Sequence, residues 1–253
     1  MKVRMRWLMA AIFAAGLVAA GSAVAAPGDG LASSLHDFTD DASQTVGLCT
    51  FCHTPHRAQQ TKLLWNHKLS ALTYSWGDTT VTTGGTPLPT FDATWQGVSK
   101  NCLSCHDGTV AVGDVAWFNA TADVNLWTAQ HNLPTDPYLI TAKTPGSGDM
   151  ANNHPVAHPF PFQGAASTYN SVTSGTEAVA SGWVADPTLS GIRLFNDDGS
   201  GNVSAGAVAG QSGIECSSCH DPHNGSQVLD SYFLRGTLTG NDANYICLKC
   251  HQK

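Results

Sequence analysis

The sequence predicts a mostly irregular, loop-rich fold with short helices and few short strands. Three observations lead there. Turn-forming residues are dense, with 25 Gly and 12 Pro in 253 residues, and Thr, Ser, Ala and Asn are abundant. Charged residues make up only 12% of the chain, so helices with a charged outer face are hard to write. The third observation is the pentapeptide Cys-x-x-Cys-His, which occurs four times: Cys49–His53, Cys102–His106, Cys216–His220 and Cys247–His251. All eight cysteines are used.

That pentapeptide is the attachment signature of a c-type haem. Two thiols add covalently to the porphyrin, and the adjacent histidine becomes the proximal iron ligand. Two plainer readings compete. Eight cysteines in an exported chain suit a disulfide framework, and paired CxxC elements begin a zinc ribbon. Neither requires histidine directly after every second cysteine. The sequence therefore points to four covalently attached haem c groups. Cys49, Cys52, Cys102, Cys105, Cys216, Cys219, Cys247 and Cys250 would hold them, and His53, His106, His220 and His251 would be the proximal ligands. The expected fold is a multihaem cytochrome organised around four stacked haems, with the haems supplying much of the core. The apoprotein is expected to be largely unfolded.

Residues 1–25 look like an export signal. Lys2, Arg4 and Arg6 precede an apolar run from Leu8 to Ala20, and Ala23-Val24-Ala25 supplies the cleavage pattern. The run is short for a membrane span, so the mature chain, 26–253, is expected to be a single exported domain without one. Without those three cations, 9 of the 12 Lys+Arg remain against 19 Asp+Glu, a balance of −10. Such a surface disfavours nucleic acid and anionic lipid as partners.

Along the mature chain, a polar lead-in carries His36. The first motif is followed by Leu63-Leu64-Trp65 and a run to Trp76, then by a Gly/Thr/Pro loop at 77–92. After the second motif, Val and Ala at 110–116 suit a short helix or strand. The 109 residues between His106 and Cys216 hold no motif and read as loops and short strands wrapped over the haems. Asn196-Asp197-Asp198-Gly199 resembles half of a calcium loop but lacks the full spacing and the closing Glu. A Gly-rich turn between two strands is the preferred reading. No repeat is evident beyond the four motifs.

Counting histidines separates an electron wire from an enzyme, because a second axial histidine closes the iron and an open iron binds small molecules. Four of the 11 His are proximal, leaving His36, His56, His67, His131, His154, His158 and His223. His56 and His223 follow their motifs at the same offset, in CHTPH and CHDPH, and suit ligation of a neighbouring haem. His154, on a Pro-stiffened loop, is a further candidate, with His158 its close competitor. His67 sits beside large apolar groups, as a buried ligand would. His131 reads as a surface residue. His36 lies on an arm that could ligate a haem of its own chain or of the next subunit.

The chain resembles exported multihaem c-type cytochromes with doubled CxxCH motifs. Within them it is similar to the tetrahaem OmcE type, and more distantly the hexahaem OmcS type, of metal-reducing bacteria. The resemblance rests on His36-Asp37-Phe38, Cys49-x-x-Cys-His-Thr-Pro-His56, Leu64-Trp-Asn-His67, Asn101-Cys-Leu-Ser-Cys-His-Asp-Gly108, His154-Pro-Val and Glu215-Cys-Ser-Ser-Cys-His-Asp-Pro-His223. Residues 160–214 carry none of it. It implies bis-histidine haems, little regular secondary structure and a close-packed haem chain. It also implies protomers that polymerise into extracellular filaments, with a histidine donated across the subunit boundary.

Three functions follow as expectations. The first is an extracellular conductive filament passing electrons from redox partner cytochromes to outside acceptors, with no catalytic residues. The second is a monomeric periplasmic shuttle. The third is a multihaem reductase with one open haem.

Overall fold

The structure, a computed structural model, describes residues 30–252 except 33, 40–41, 44, 60–62, 128–137, 141–145, 175–181, 226–230 and 241. The export-signal reading and His131 lie outside the described residues. Among these residues there are two α-helices. Helix α1, Ser99–His106, carries the second motif and closes when the Asp107 N–H donates to the Leu103 carbonyl at 3.0 Å. Helix α2, Cys216–Cys219, is a single turn carrying the third motif. Short 3-10 turns cover Phe162–Gly164, Pro187–Ser190, Ser231–Phe233 and Ile246–Lys249. The turn at 187–190 is local chemistry: the Asp186 carboxylate accepts from the Thr188 N–H, Pro187 presets the first φ, and Gly191 closes it at φ 87°.

The strands are short and antiparallel. Strands β1 (Asp114–Phe118) and β2 (Thr121–Asn125) form a hairpin through Asn119 and Ala120, both at positive φ as a two-residue turn requires. Strand β3 is His158–Pro159, and a second hairpin joins β4 (Thr168–Tyr169) to β5 (Val172–Thr173). Strands β6 (Phe195–Asp197), β7 (Val203–Ala205) and β8 (Ser212–Ile214) complete a four-stranded sheet of order β3-β8-β6-β7. Strand β8 runs directly into Glu215 and helix α2, so this sheet positions the third motif.

The fold is loop-rich, as the composition suggests, and the strands fall between 114 and 214, the stretch without motifs. Of the short helix or strand that suited 110–116, the structure has a strand, β1, which begins at Asp114. The 77–92 loop folds on itself, with Val81 bridging Pro87. Residues 196–203 are the expected turn between two strands. Asp198 accepts from the N–H groups of Ser200 and Asn202 and from their side chains, and Asp197 accepts from the N–H groups of Gly199 and Asn170. The carboxylates serve the turn itself.

Apolar packing is divided into four small clusters, each beside a motif. Tyr74, Trp76, Phe91, Leu103, Met150 and Ala157 surround α1. Phe160, Phe162, Ile192 and Leu194 pack against Ile246 and Cys250. Phe51, Val115 and Leu126 pack against Cys52. Tyr169, Phe195 and Val203 lean on Trp95 and Val98. No described helix is long and apolar enough to cross a membrane.

Gly213 in β8 lies under the fully buried Tyr169 ring, where an added Cβ would come within 2.3 Å of a ring carbon. Gly213→Ala is therefore expected to cost about 1–3 kcal/mol through overpacking, read as a lower thermal midpoint. An unchanged midpoint would show that the sheet does not seat on Tyr169.

Candidate functional site

Each motif is wound into one helical turn. The N–H of His53 donates to the Cys49 carbonyl at 2.8 Å, that of His220 to Cys216 at 3.0 Å, and that of His251 to Cys247 at 2.8 Å. The second motif lies within α1. A helical turn puts residues three apart on one face, so each pair of thiols points the same way with its histidine beside it.

A second contact orients the histidine. His53 Nδ1 meets the Leu63 carbonyl at 2.5 Å, His106 Nδ1 the Tyr138 carbonyl at 2.7 Å, and His220 Nδ1 the Tyr232 carbonyl at 2.7 Å. A carbonyl only accepts, so Nδ1 carries the ring proton and Nε2 is left with its lone pair.

The first and third motifs share more than their cysteines. After each, the chain returns through two consecutive residues at positive φ, Leu63 and Leu64 (62° and 52°) or Tyr232 and Phe233 (66° and 58°). The first of the two offers its carbonyl to the motif histidine. The second accepts from the residue after that histidine, Thr54 to Leu64 at 2.8 Å and Asp221 to Phe233 at 2.7 Å. Two residues further on, Asn66 donates to Cys52 at 2.9 Å and Arg235 to Cys219 at 2.7 Å. The sequence shows no repeat beyond the motifs, yet 49–66 and 216–235 are one module built twice.

Three of the four motif histidines face a second histidine ring. Ring centroids are 6.1 Å apart for His53 and His223, 6.1 Å for His106 and His36, and 6.3 Å for His251 and His154. Nδ1 of His36 meets the Pro222 carbonyl and that of His154 the Pro155 carbonyl, at 3.1 and 2.9 Å, so these rings too keep Nε2 free. Desolvation lowers the His36 pKa to about 4, which keeps the ring neutral at neutral pH. Each pair thus sets two imidazole rings about 6 Å apart beside a CxxC motif. Among the described residues no second histidine ring faces His220.

The remaining histidines are placed differently. His56 is exposed, three residues after His53. His67 is buried, but Nδ1 meets the Lys68 carbonyl at 2.9 Å and Nε2 the Ala111 and Val112 carbonyls at 3.0 and 3.1 Å. Both nitrogens are engaged, and the ring is not among the facing pairs. His158 was the lesser candidate in sequence, yet it is 8% exposed with Nδ1 on the Pro159 carbonyl at 3.0 Å and Nε2 without a hydrogen-bond partner. Desolvation lowers its pKa to about 4. The repeated His-Pro at 154–155 and 158–159 was the available signal.

The thiols show how the motifs follow one another in space. All eight are free. Desolvation pushes Cys52 up to about 12, with Cys105 and then Cys49 adding to it. Cys102 Sγ donates to the Val98 carbonyl at 3.6 Å, and interaction with the neighbouring thiol of the other motif pushes Cys102 up and Cys216 down. Cys219 and Cys250 are raised to about 11 and 12 by desolvation, and each feels the other motif's cysteines. The four motifs therefore neighbour one another in chain order. No cluster of three or more metal-binding side chains for a bare ion occurs among the described residues.

No protein-family model and no curated protein matches the chain.

Asn66, fully buried, ties the first motif to β1. Its amide donates to the Thr50 and Trp117 carbonyls and accepts from the Trp117 N–H, at 2.7 to 3.1 Å. Asn66→Ala strands three backbone groups and is expected to cost at least ~2 kcal/mol. Denaturant titration checks this, and a loss below about 0.5 kcal/mol would make the strut dispensable.

Proposed function

We propose that the chain is a tetrahaem c-type electron carrier whose copies join into an extracellular conductive filament. The carrying observation is the three facing histidine pairs beside the CxxC thiols. Two rings sharing one metal, each bonded at about 2 Å with its centroid ~1 Å behind the ligating nitrogen, stand about 6 Å apart. The separations of 6.1 to 6.3 Å meet this requirement. Large apolar residues left exposed beside the motif histidines, Leu63, Leu64 and Tyr232, suit a porphyrin face as their cover. The residues present fit the group.

The thiols at 49/52, 102/105, 216/219 and 247/250 would hold the haems. His53 with His223, His106 with His36 and His251 with His154 would supply the imidazole ligands to iron. The haem supplies reversible one-electron chemistry between iron(III) and iron(II). The protein's own residues fix the imidazole tautomer through Nδ1, close the sixth position, and space the motifs in sequence. With closed iron sites the reading is transfer from partner cytochromes to outside acceptors, not catalysis.

The doubled module supports assembly. His223, three residues after the motif histidine of the second copy of the module, faces His53 of the first copy. By the same relation His56 of the first copy would serve the third-motif site of another copy of the chain. His220 needs such a partner. We therefore assign the ligand crossing between subunits to His56, reaching His220 of another protomer, while His36 ligates in its own chain.

The haem-loaded protein is expected to carry four covalent haems per chain by haemochrome assay, and absence of covalent haem would end this reading. His56→Ala is expected to give discrete particles with one high-spin haem per chain by electron paramagnetic resonance. His36→Ala is expected to open one haem and leave assembly intact. Assembly surviving in His56→Ala would remove it as the linking ligand, and wild-type protein sedimenting only as a monomer would favour the shuttle.

A further inference from the structure

Glu215 is 1% exposed and belongs to no salt bridge among the described residues. Its Oε1 accepts from Trp95 Nε1 at 3.0 Å and the Tyr169 hydroxyl at 2.7 Å, and its Oε2 from the Ser99 N–H at 2.9 Å. The Ser99 hydroxyl accepts from the Cys216 N–H at 3.0 Å. Ser99 is the first residue of α1, and Glu215 is the residue on which α2 begins, with its N–H on Ser218 Oγ at 2.9 Å. One carboxylate thus joins the starts of the two helices that carry Cys102 and Cys216. Gly97 leaves it room, since a Cβ there would lie 2.0 Å from Oε1.

Desolvation raises the pKa of this carboxyl above the usual carboxylate value, and the donors around it oppose that. Two of the three donors are N–H groups, which cannot turn to accept, so protonating the carboxyl would set its own hydrogen among them. The arrangement is that of an ionised carboxylate at a helix start. The far end of the motif series has the opposite sign. Lys249, between Cys247 and Cys250, is 4% exposed and donates from Nζ to the carbonyls of Ser190 and Arg235 at 2.7 and 2.6 Å.

We infer that Glu215 is a buried anion that sets the redox balance of the second and third haem sites, making them harder to reduce than the fourth. The inference rests on the haem reading above. Each site accepts one electron from a neighbouring haem or a partner cytochrome, iron(III) becoming iron(II), with no proton transferred. An axially bis-imidazole iron(III) centre carries one more positive charge than iron(II), so a nearby anion in a low-dielectric surrounding favours the oxidised form. Glu215 is a positioning and tuning residue, since no contact between it and a reacting atom is involved.

Spectroelectrochemistry of four-haem protein tests this. Glu215→Gln keeps the shape and removes the charge. It is expected to shift two of the four transitions toward reduction by at least tenfold in equilibrium constant, which is about 59 mV for one electron. Mere loosening of the site would admit water and shift them the other way. Glu215→Asp, retaining the charge, is expected to stay within about threefold of wild type. Transitions that do not move, or that move toward oxidation, overturn the inference. If Glu215→Gln fails to load haem, the order of reduction in the unmodified protein decides: the sites at Cys102/Cys105 and Cys216/Cys219 should reduce after that at Cys247/Cys250, and the reverse order overturns it. A chain without covalent haem overturns the haem reading as well, whereas a loaded chain with unmoved transitions overturns this inference alone.

Discussion

The contact between Nδ1 of a motif histidine and a backbone carbonyl returning toward it is the interaction on which the rest depends. It fixes the ring plane, settles which nitrogen carries the proton, and leaves Nε2 with its lone pair. To make it, the chain holds Leu63, Leu64, Tyr232 and Phe233 in a left-handed conformation that costs such residues roughly 1–2 kcal/mol each. The return is locked by ladder bonds to Cys52 and Cys219, so the strain is carried by the same module that benefits from it.

Apolar burial alone is a thin support. The four clusters are small and separate, and the spaces between them are bridged by buried polar groups. Asn66 links the first motif to β1, Tyr74 donates to the fully buried Asp107 behind the second motif at 2.8 Å, and Glu215 and Lys249 serve the third and fourth. Each has partners, as buried polar groups must. His158 Nε2 and Trp65 Nε1 lack protein partners. On the haem reading, the missing apolar mass and part of the missing polar partners belong to the cofactor.

Much of this was legible in the residues. The four motifs, the loop-rich fold, the short strands between 114 and 214 and the β6–β7 turn could all be read from local spacing and turn chemistry. The doubled module could not, because Leu63-Leu64 and Tyr232-Phe233 share no identity and neither pair favours positive φ; long-range hydrogen bonds impose it. Histidine partners were legible only as a set, since which ring faces which depends on contacts between residues far apart in the chain, as in His53 with His223. His67 shows the ambiguity: apolar neighbours suited a buried ligand, while the structure surrounds it with carbonyls. Glu215 drew notice only as part of a motif, because its role lies in Trp95, Ser99 and Tyr169, all distant in sequence.

The central claim is that facing histidine pairs close iron sites and that chains are linked through one more such pair. Electron microscopy of the haem-loaded, signal-cleaved protein from the extracellular fraction tests it most directly. The account predicts uniform filaments in which density joins each pair through an iron, including His56 of one protomer and His220 of the next. Discrete particles, or filaments whose third site is closed from within its own chain, would contradict it.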